Sequence, residues 1–351
     1  MSTGLNQYKY PGNPVLARNP GMWDSVDVGH IAVLIPDETH DGQWHAWYAG
    51  HAGREIEIGH ATSSDGISWN KDSRNPVLSS PGHSVNDPFV VPVMDSGKLT
   101  YHMFVEYFNR ETQTYSIGKS LSSDGIDWSE VRKVLKAEPK LADEVGVSVA
   151  LVHRDEASSK WSMLFSGIDA AHPTWVIWTG LAESADGENW NKVEVLEKRQ
   201  DKFIFPHAML KRDVFMALFV TGLDDIHLAG SVDLRQWTIL PKVILSQSEP
   251  YENPAGETAG IGADGLALAY YKGKYYVYYS YYANTAGNRD IGAAVVDEFP
   301  APTPITYPSG EGQIVPDVPK PHRGILSRLL VVAKEQEPSI LTVDRIPWAK
   351  R

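Results

Sequence analysis

Cysteine is missing from all 351 residues, which excludes disulfides, thiolate metal sites and a cysteine nucleophile together. An excess of basic charge is missing too. The 32 Lys and Arg stand against 44 Asp and Glu, a net charge of −12. That is the wrong sign for a face that displaces counterions from nucleic-acid phosphates, although an acidic surface also serves plain solubility. No segment approaches the roughly 20 apolar residues of a membrane helix. The opening "MSTGLNQYKYPGNPVL" has no basic stretch leading into an apolar run, so no signal peptide is legible and a cytoplasmic location is the expectation. The glycine fingerprint of dinucleotide sites, the P-loop and H-E-x-x-H are absent, as is the G-x-S-x-G elbow. Helical periodicity is almost absent as well.

What the chain has instead is repetition. "IGHATSSDGISW" at 58–69 returns as "IGKSLSSDGIDW" at 117–128 and, in weaker forms, as "TGLAESADGENW", "LAGSVDLRQW" and "IGAAVVDEF". The Asp of each turn falls at 65, 124, 186, 233 and 297, so the steps are 59, 62, 47 and 64 residues. A period of this size marks a repeat architecture. Upstream of each turn lies an aromatic run, such as "GQWHAWYAGH" or "GKYYVYYSYY", and before it a second apolar run, such as "HIAVLIP" or "PFVVPVM". Such composition bounded by Gly and Asp reads as strand, and Asp-Gly between strands reads as a hairpin turn. The unit is therefore about four antiparallel strands, five times over. The chain is predicted to be all-β, a five-bladed β-propeller of four-stranded antiparallel sheets over residues 1–300. Trp69, Trp128, Trp190 and Trp237 recur at one place in the unit and are expected between neighbouring sheets. A Pro-rich extension covers 301–351 and either packs on the propeller or is partly disordered.

With these residues in view, "WDSVDVGHIAVL", "YAGHAGREIEIGHATSSDGISWNKDSRNPVL" and "NDPFVVP" resemble the five-bladed propeller glycosidases, glycoside hydrolase families 43, 32, 62 and 68 and their relatives. The resemblance covers about residues 10–300. It implies an active site at one mouth of the central channel, with an Asp base or nucleophile from blade one, a supporting Asp from blade two and a Glu acid from blade three. Glycoside cleavage needs one carboxylic acid to protonate the leaving oxygen and one carboxylate to activate water or attack.

Carried onto this chain, the resemblance implies Asp87 of "VNDPFVVP" in blade two, a residue that equally suits a strand-start turn. In blade three it implies Glu144 of "LADEVGVSVALVH", with Asp143 as its neighbouring rival. Blade one departs from the pattern: His30 stands where the family has its Asp. Asp24 and Asp27 lie just upstream in "GMWDSVDVGH", and Asp24 is the expected catalytic carboxylate. His30 itself is a second possible base. His207 and Phe205 of "FIFPHAML" in blade four, Asp264 of "ADGLALAYY" in blade five, and Trp23 are expected to line the substrate site with Asp27 and His30; Asp264-Gly265 also reads as a simple turn. His83, His102 and His153 stand at no metal-ligand spacing, and no metal or cofactor is assigned. A channel ion held through water by His207 or Asp264 is left open.

The resulting expectation is a glycoside hydrolase acting on a small glycoside or oligosaccharide, a furanoside among the options. Water attacks with help from Asp24 or Asp27, Glu144 protonates the leaving oxygen and Asp87 steadies the site. The alternatives are a repurposed propeller enzyme of small-molecule biosynthesis, catalysing a cyclisation, elimination or isomerisation, and a non-catalytic sugar-binding propeller. Neither a nucleic-acid nor a membrane partner is expected, and the oligomeric state is left open.

Overall fold

The computed structural model describes residues 5–53, 55–138, 146–169, 176–198, 204–221, 225–252, 254, 265–297 and 346–347. Among the described residues the architecture is all-β, interrupted by three short 3-10 turns. The first unit is β1 (Asp27–Leu34), β2 (Trp44–His51), β3 (Glu57–Ser63) and β4 (Trp69–Lys71), hydrogen-bonded in that order. The second is β5 (His83–Asp95), β6 (Lys98–Asn109), β7 (Thr114–Ser122) and β8 (Arg132–Lys136). A third follows as β9 (Gly146–Arg154), β10 (Trp161–Asp169), β11 (Val176–Ser184) and β12 (Asn191–Lys198), joined to the second by a single parallel pairing of Tyr115 with Gly146. Next come β13 (Ile204–Lys211), β14 (Phe215–Thr221), β15 (Asp225–Ser231) and β16 (Thr238–Leu245). The last unit has three strands, β17 (Leu266–Tyr271), β18 (Lys274–Tyr282) and β19 (Arg289–Val296). Pairing within each unit is antiparallel, as the hairpin turns require.

The repeated phrase is explained by what its turn touches. Asp65, Asp124, Asp186 and Asp233 each accept, through Oδ1, the backbone N–H groups two and three residues on. The preceding serine (63, 122, 184 or 231) accepts the N–H of the Asp itself. Gly66, Gly125 and Gly187 take the left-handed backbone the turn needs, with φ of 75°, 81° and 72°. Their carbonyls then accept from the neighbouring unit: Tyr278 Oη donates to Gly66 O at 2.7 Å, Trp47 Nε1 to Gly125 O at 2.7 Å, and Lys119 Nζ to Gly187 O at 3.0 Å. The turn is thus a socket for the unit beside it. Three tryptophans follow the same logic and pack between units, Trp69 on Tyr278, Trp128 on Trp47 and Trp190 on Phe104, each with centroids 6.0 Å apart. Trp237 lies against Phe219 of its own unit and packs on the apolar cluster shared with the third unit, which includes Leu181 and Leu196.

The three-stranded last unit is completed by the N-terminus. Tyr10 N–H and Val15 N–H donate to the carbonyls of Ala293 and Ile291, and Ile291 N–H donates back to Leu16 O at 3.0 Å. Asn13 brackets Ala293, donating to its carbonyl and accepting its N–H. Lys9, with its side chain 3% exposed, forms an ion pair with the fully buried Glu252. Of the extension at 301–351, only Ile346–Pro347 lies among the described residues. No helix among them is long and apolar enough to cross a membrane.

The first strands of the units, β1, β5, β9, β13 and β17, each pack on the next, and β17 packs on β1. Between them runs a cavity of about 200 Å³. Its wall is apolar along the strands, through Ala32, Leu34, Val90, Leu151, Met209 and Leu268, and polar where the strands enter it.

Candidate active site

The polar end is built by one device used repeatedly. In β1 the pairing with β2 slips between Gly29 and Ile31, leaving His30 as the extra residue of a bulge. The same slip occurs in β5 around Asp87 and in β13 at His207; in β9 it falls at Val149. A bulge bends its strand and re-aims a side chain. His30, Asp87 and Val149 adopt φ of 35°, 46° and 44°, a region that residues with a side chain occupy only when their surroundings hold them there. Gly265 faces His30 from the last unit at φ 138°; a Cβ there would lie 2.4 Å from His30 Cα. Only glycine fits.

His30, Asp87 and His207 meet at this end. One ligating atom from each lies within 4.8 Å of the others. His30 Nδ1 pairs with Asp87 Oδ1, each side chain only 11% exposed, and the two imidazole centroids are 6.4 Å apart. Burial alone pushes the Asp87 carboxyl up. The charges of His30 and His207, the hydrogen bond from His30 and the more distant Arg289 outweigh it and hold Asp87 below the usual carboxylate range.

A second carboxyl lies beside this group. Glu106 on β6 pairs in register with Asn86, the residue before Asp87, and accepts a hydrogen bond from Ser148 Oγ of β9. Burial and, next, the negative charge of Asp87 raise its pKa to about 7, against the opposing pull of Ser148, His30 and Asn86. Two neighbouring carboxyls therefore have their pKa values pushed apart, so that on the acid side of neutrality Asp87 is ionised while Glu106 keeps its proton, the arrangement that assigns acid and base roles.

The other expected residues are placed as follows. Asp24 is fully buried, ion-paired with Lys71 and reached by Tyr48 Oη at 3.4 Å; it does not line the cavity. Trp23 packs on Tyr48, 5.8 Å between centroids, and covers Gly50 and Gly59, away from the cavity lining. Asp27 accepts the backbone N–H and Nε–H of Arg289, both at 2.8 Å, with His51 Nε2 at 3.7 Å. Burial pushes Asp27 up, but His51 and Arg289 prevail and bring its pKa to about 2. Its oxygens are committed to that cation. Phe205 lies on β13 opposite Val220. Glu144, Asp143 and Asp264 lie outside the described residues. The cluster of two imidazoles and a carboxylate has metal-ligand chemistry, where the sequence assigned no metal. Glu106 was not anticipated; the available signal was a lone acid inside the aromatic strand "YHMFVEYF".

No protein-family model matches the chain, and no curated protein sequence does. Solved structures do resemble it. A glycosyl hydrolase from Bacteroides ovatus is 18% identical, with 84% of this chain and 94% of that one aligned and a TM-score of 0.59. A member of the GH130 family of mannoside phosphorylases, which contains glycoside hydrolases that target β-1,2 mannosidic linkages in Candida mannan, is 19% identical over 82% of this chain and 92% of that one, TM-score 0.59. An N-acetylgalactosamine deacetylase from F. plautii, solved with blood group B trisaccharide, is 15% identical over 84% and 94%, TM-score 0.59. At these identities the likeness establishes the fold, which is the propeller-type fold of glycoside hydrolases.

Proposed function

We propose that the chain is a five-bladed propeller enzyme that hydrolyses a small glycoside or oligosaccharide at the polar end of its cavity. One observation carries the reading: Asp87 lines the polar end of the cavity with His30 and His207, and the carboxyl of Glu106, from the adjacent strand, lies beside it outside the cavity lining and feels its charge. Asp87 is the ionised partner and Glu106 the proton donor to the leaving oxygen. By family resemblance the donor role would fall to Glu144 instead, and the two assignments separate experimentally. Asp24, tied to Lys71, serves as support for the Trp23–Tyr48 corner of the first sheet. The test is a panel of aryl glycosides, furanosides included, assayed with the wild type, E106Q, E144Q and D87N. Loss of about 10²–10⁴-fold in turnover is expected for E106Q, with a comparable loss for D87N and activity kept in E144Q. Turnover that survives both E106Q and D87N overturns the assignment, and a wild type inert on the whole panel overturns the glycosidase reading.

A second reading, removal of an acyl group from a substituted sugar, is favoured by the two imidazoles beside Asp87 and by the deacetylase among the structural relatives. Aryl acetates and N-acetylated sugars in the same panel separate it from glycoside cleavage.

A further inference from the structure

The geometry points to a metal site at the polar end of the cavity: we propose that His30, Asp87 and His207 together bind one divalent first-row transition-metal ion. Each residue comes from a different sheet and each sits at the bulge of its innermost strand. Three separate strands are therefore distorted at the same level, and the distortions aim three ligating atoms to within 4.8 Å of one another. An ion with bonds near 2.0–2.2 Å to imidazole nitrogen and carboxylate oxygen requires His30 Nδ1 and Asp87 Oδ1, which pair directly, to part and admit it between them. Two imidazoles and one carboxylate suit Zn²⁺, Fe²⁺, Ni²⁺ and Cu²⁺ better than Ca²⁺ or Mg²⁺, which prefer all-oxygen shells.

The two remaining bulge-level positions support the same assignment. Val149 contributes no donor, and Gly265 contributes no side chain. Among the described residues the ion is thus ligated from three units, and its other coordination positions are left for the cavity side, as in three-ligand sites that keep room for water or substrate. The glycine is also what lets His30 occupy its place, since a Cβ at 265 would strike the His30 backbone. Metal ligands bind in their deprotonated forms, so an ion entering between His30 Nδ1 and Asp87 Oδ1 displaces a proton from the site.

This inference stands apart from the glycosidase reading, because binding is measured without substrate. The full chain, stripped with a chelator, is titrated with Co²⁺ while its visible absorption and the heat of binding are followed. One Co²⁺ per chain is expected, with the d–d absorption of a nitrogen-ligated ion, proton uptake by the buffer, and displacement by Zn²⁺. H207Q and D87N should each weaken binding at least 100-fold. H153A, a histidine lining the opposite end of the same cavity, should leave it unchanged. Absence of saturable binding, or binding equally tight in H207Q and D87N, overturns the proposal. Should those variants fail to fold, the wild type still decides: Co²⁺ must protect His30 and His207, and not His83, from diethyl pyrocarbonate. Unprotected modification of His30 and His207 overturns it.

Discussion

Replacing Glu106 with glutamine probes the electrostatics of the site without any substrate. In an unfolded chain this carboxyl titrates near 4.5; in the fold burial and Asp87 carry it to about 7. Below pH 4.5 the group is protonated in both states and its confinement is harmless. Between 4.5 and 7 the unfolded chain releases the proton while the folded one retains it, so stability falls as pH rises through that window and stays low above it. At about 1.4 kcal/mol per tenfold change in ionisation, the loss reaches about 3 kcal/mol at pH 8, an upper bound because solvent reaches part of the side chain and screens it. Glutamine keeps an oxygen for the Ser148 hydroxyl and has no proton to lose. E106Q is therefore expected to match the wild type at pH 4 and to exceed it progressively, by up to about 3 kcal/mol, at pH 8. Urea unfolding followed by tryptophan fluorescence across this range, in chelator-treated buffer, measures the difference. A gap between the two proteins that does not change with pH would refute the reasoning, because it would mean Glu106 is as easily ionised folded as unfolded.

Two further outcomes follow from the fold. G125A forces a Cβ onto a residue at φ 81° and to within 2.9 Å of Trp47, so it should cost at least about 1–2 kcal/mol; a melting temperature equal to wild type would show that the inter-unit socket is not a constraint. K9M leaves the buried Glu252 carboxylate without its cation, which should cost about 3–5 kcal/mol and open residues 9–16 to limited proteolysis. Wild-type protease resistance would remove the N-terminal pairing from the account.

Much of this was legible in the chain, and what was hidden has a common cause. Local chemistry is written in consecutive residues, so the Ser-Ser-Asp-Gly turns, the aromatic strands and the alignment of "GHIAVL" on "NDPFVV" could be read directly. That alignment placed His30 and Asp87 at one level, and the bulges at both positions follow it. Partners brought from a distance could not be read. Asp24 and Asp27 present themselves as carboxylates near a strand; their cations, Lys71 and Arg289, lie 47 and 262 residues away. Glu106 went unnoticed because alternation along β6 makes a single acid resemble an outward-facing residue, and only the hydroxyl of Ser148 from the next unit reveals its setting. The three-ligand cluster is of the same kind: no spacing in the chain announces it, since each member belongs to a different sheet.

The pairing of residues 10–16 with β19 also has a consequence for how the molecule is made. Its partners, Ile291 and Ala293, emerge from the ribosome some 280 residues later. Residues 10–16 must wait, unpaired, while the intervening residues are made, because the edge they will cover does not yet exist. Pairing these two segments is then a late step that closes a loop of 280 residues. From the time β19 is made until that pairing happens, the chain carries an uncovered strand edge, the surface most prone to pairing with another copy of itself.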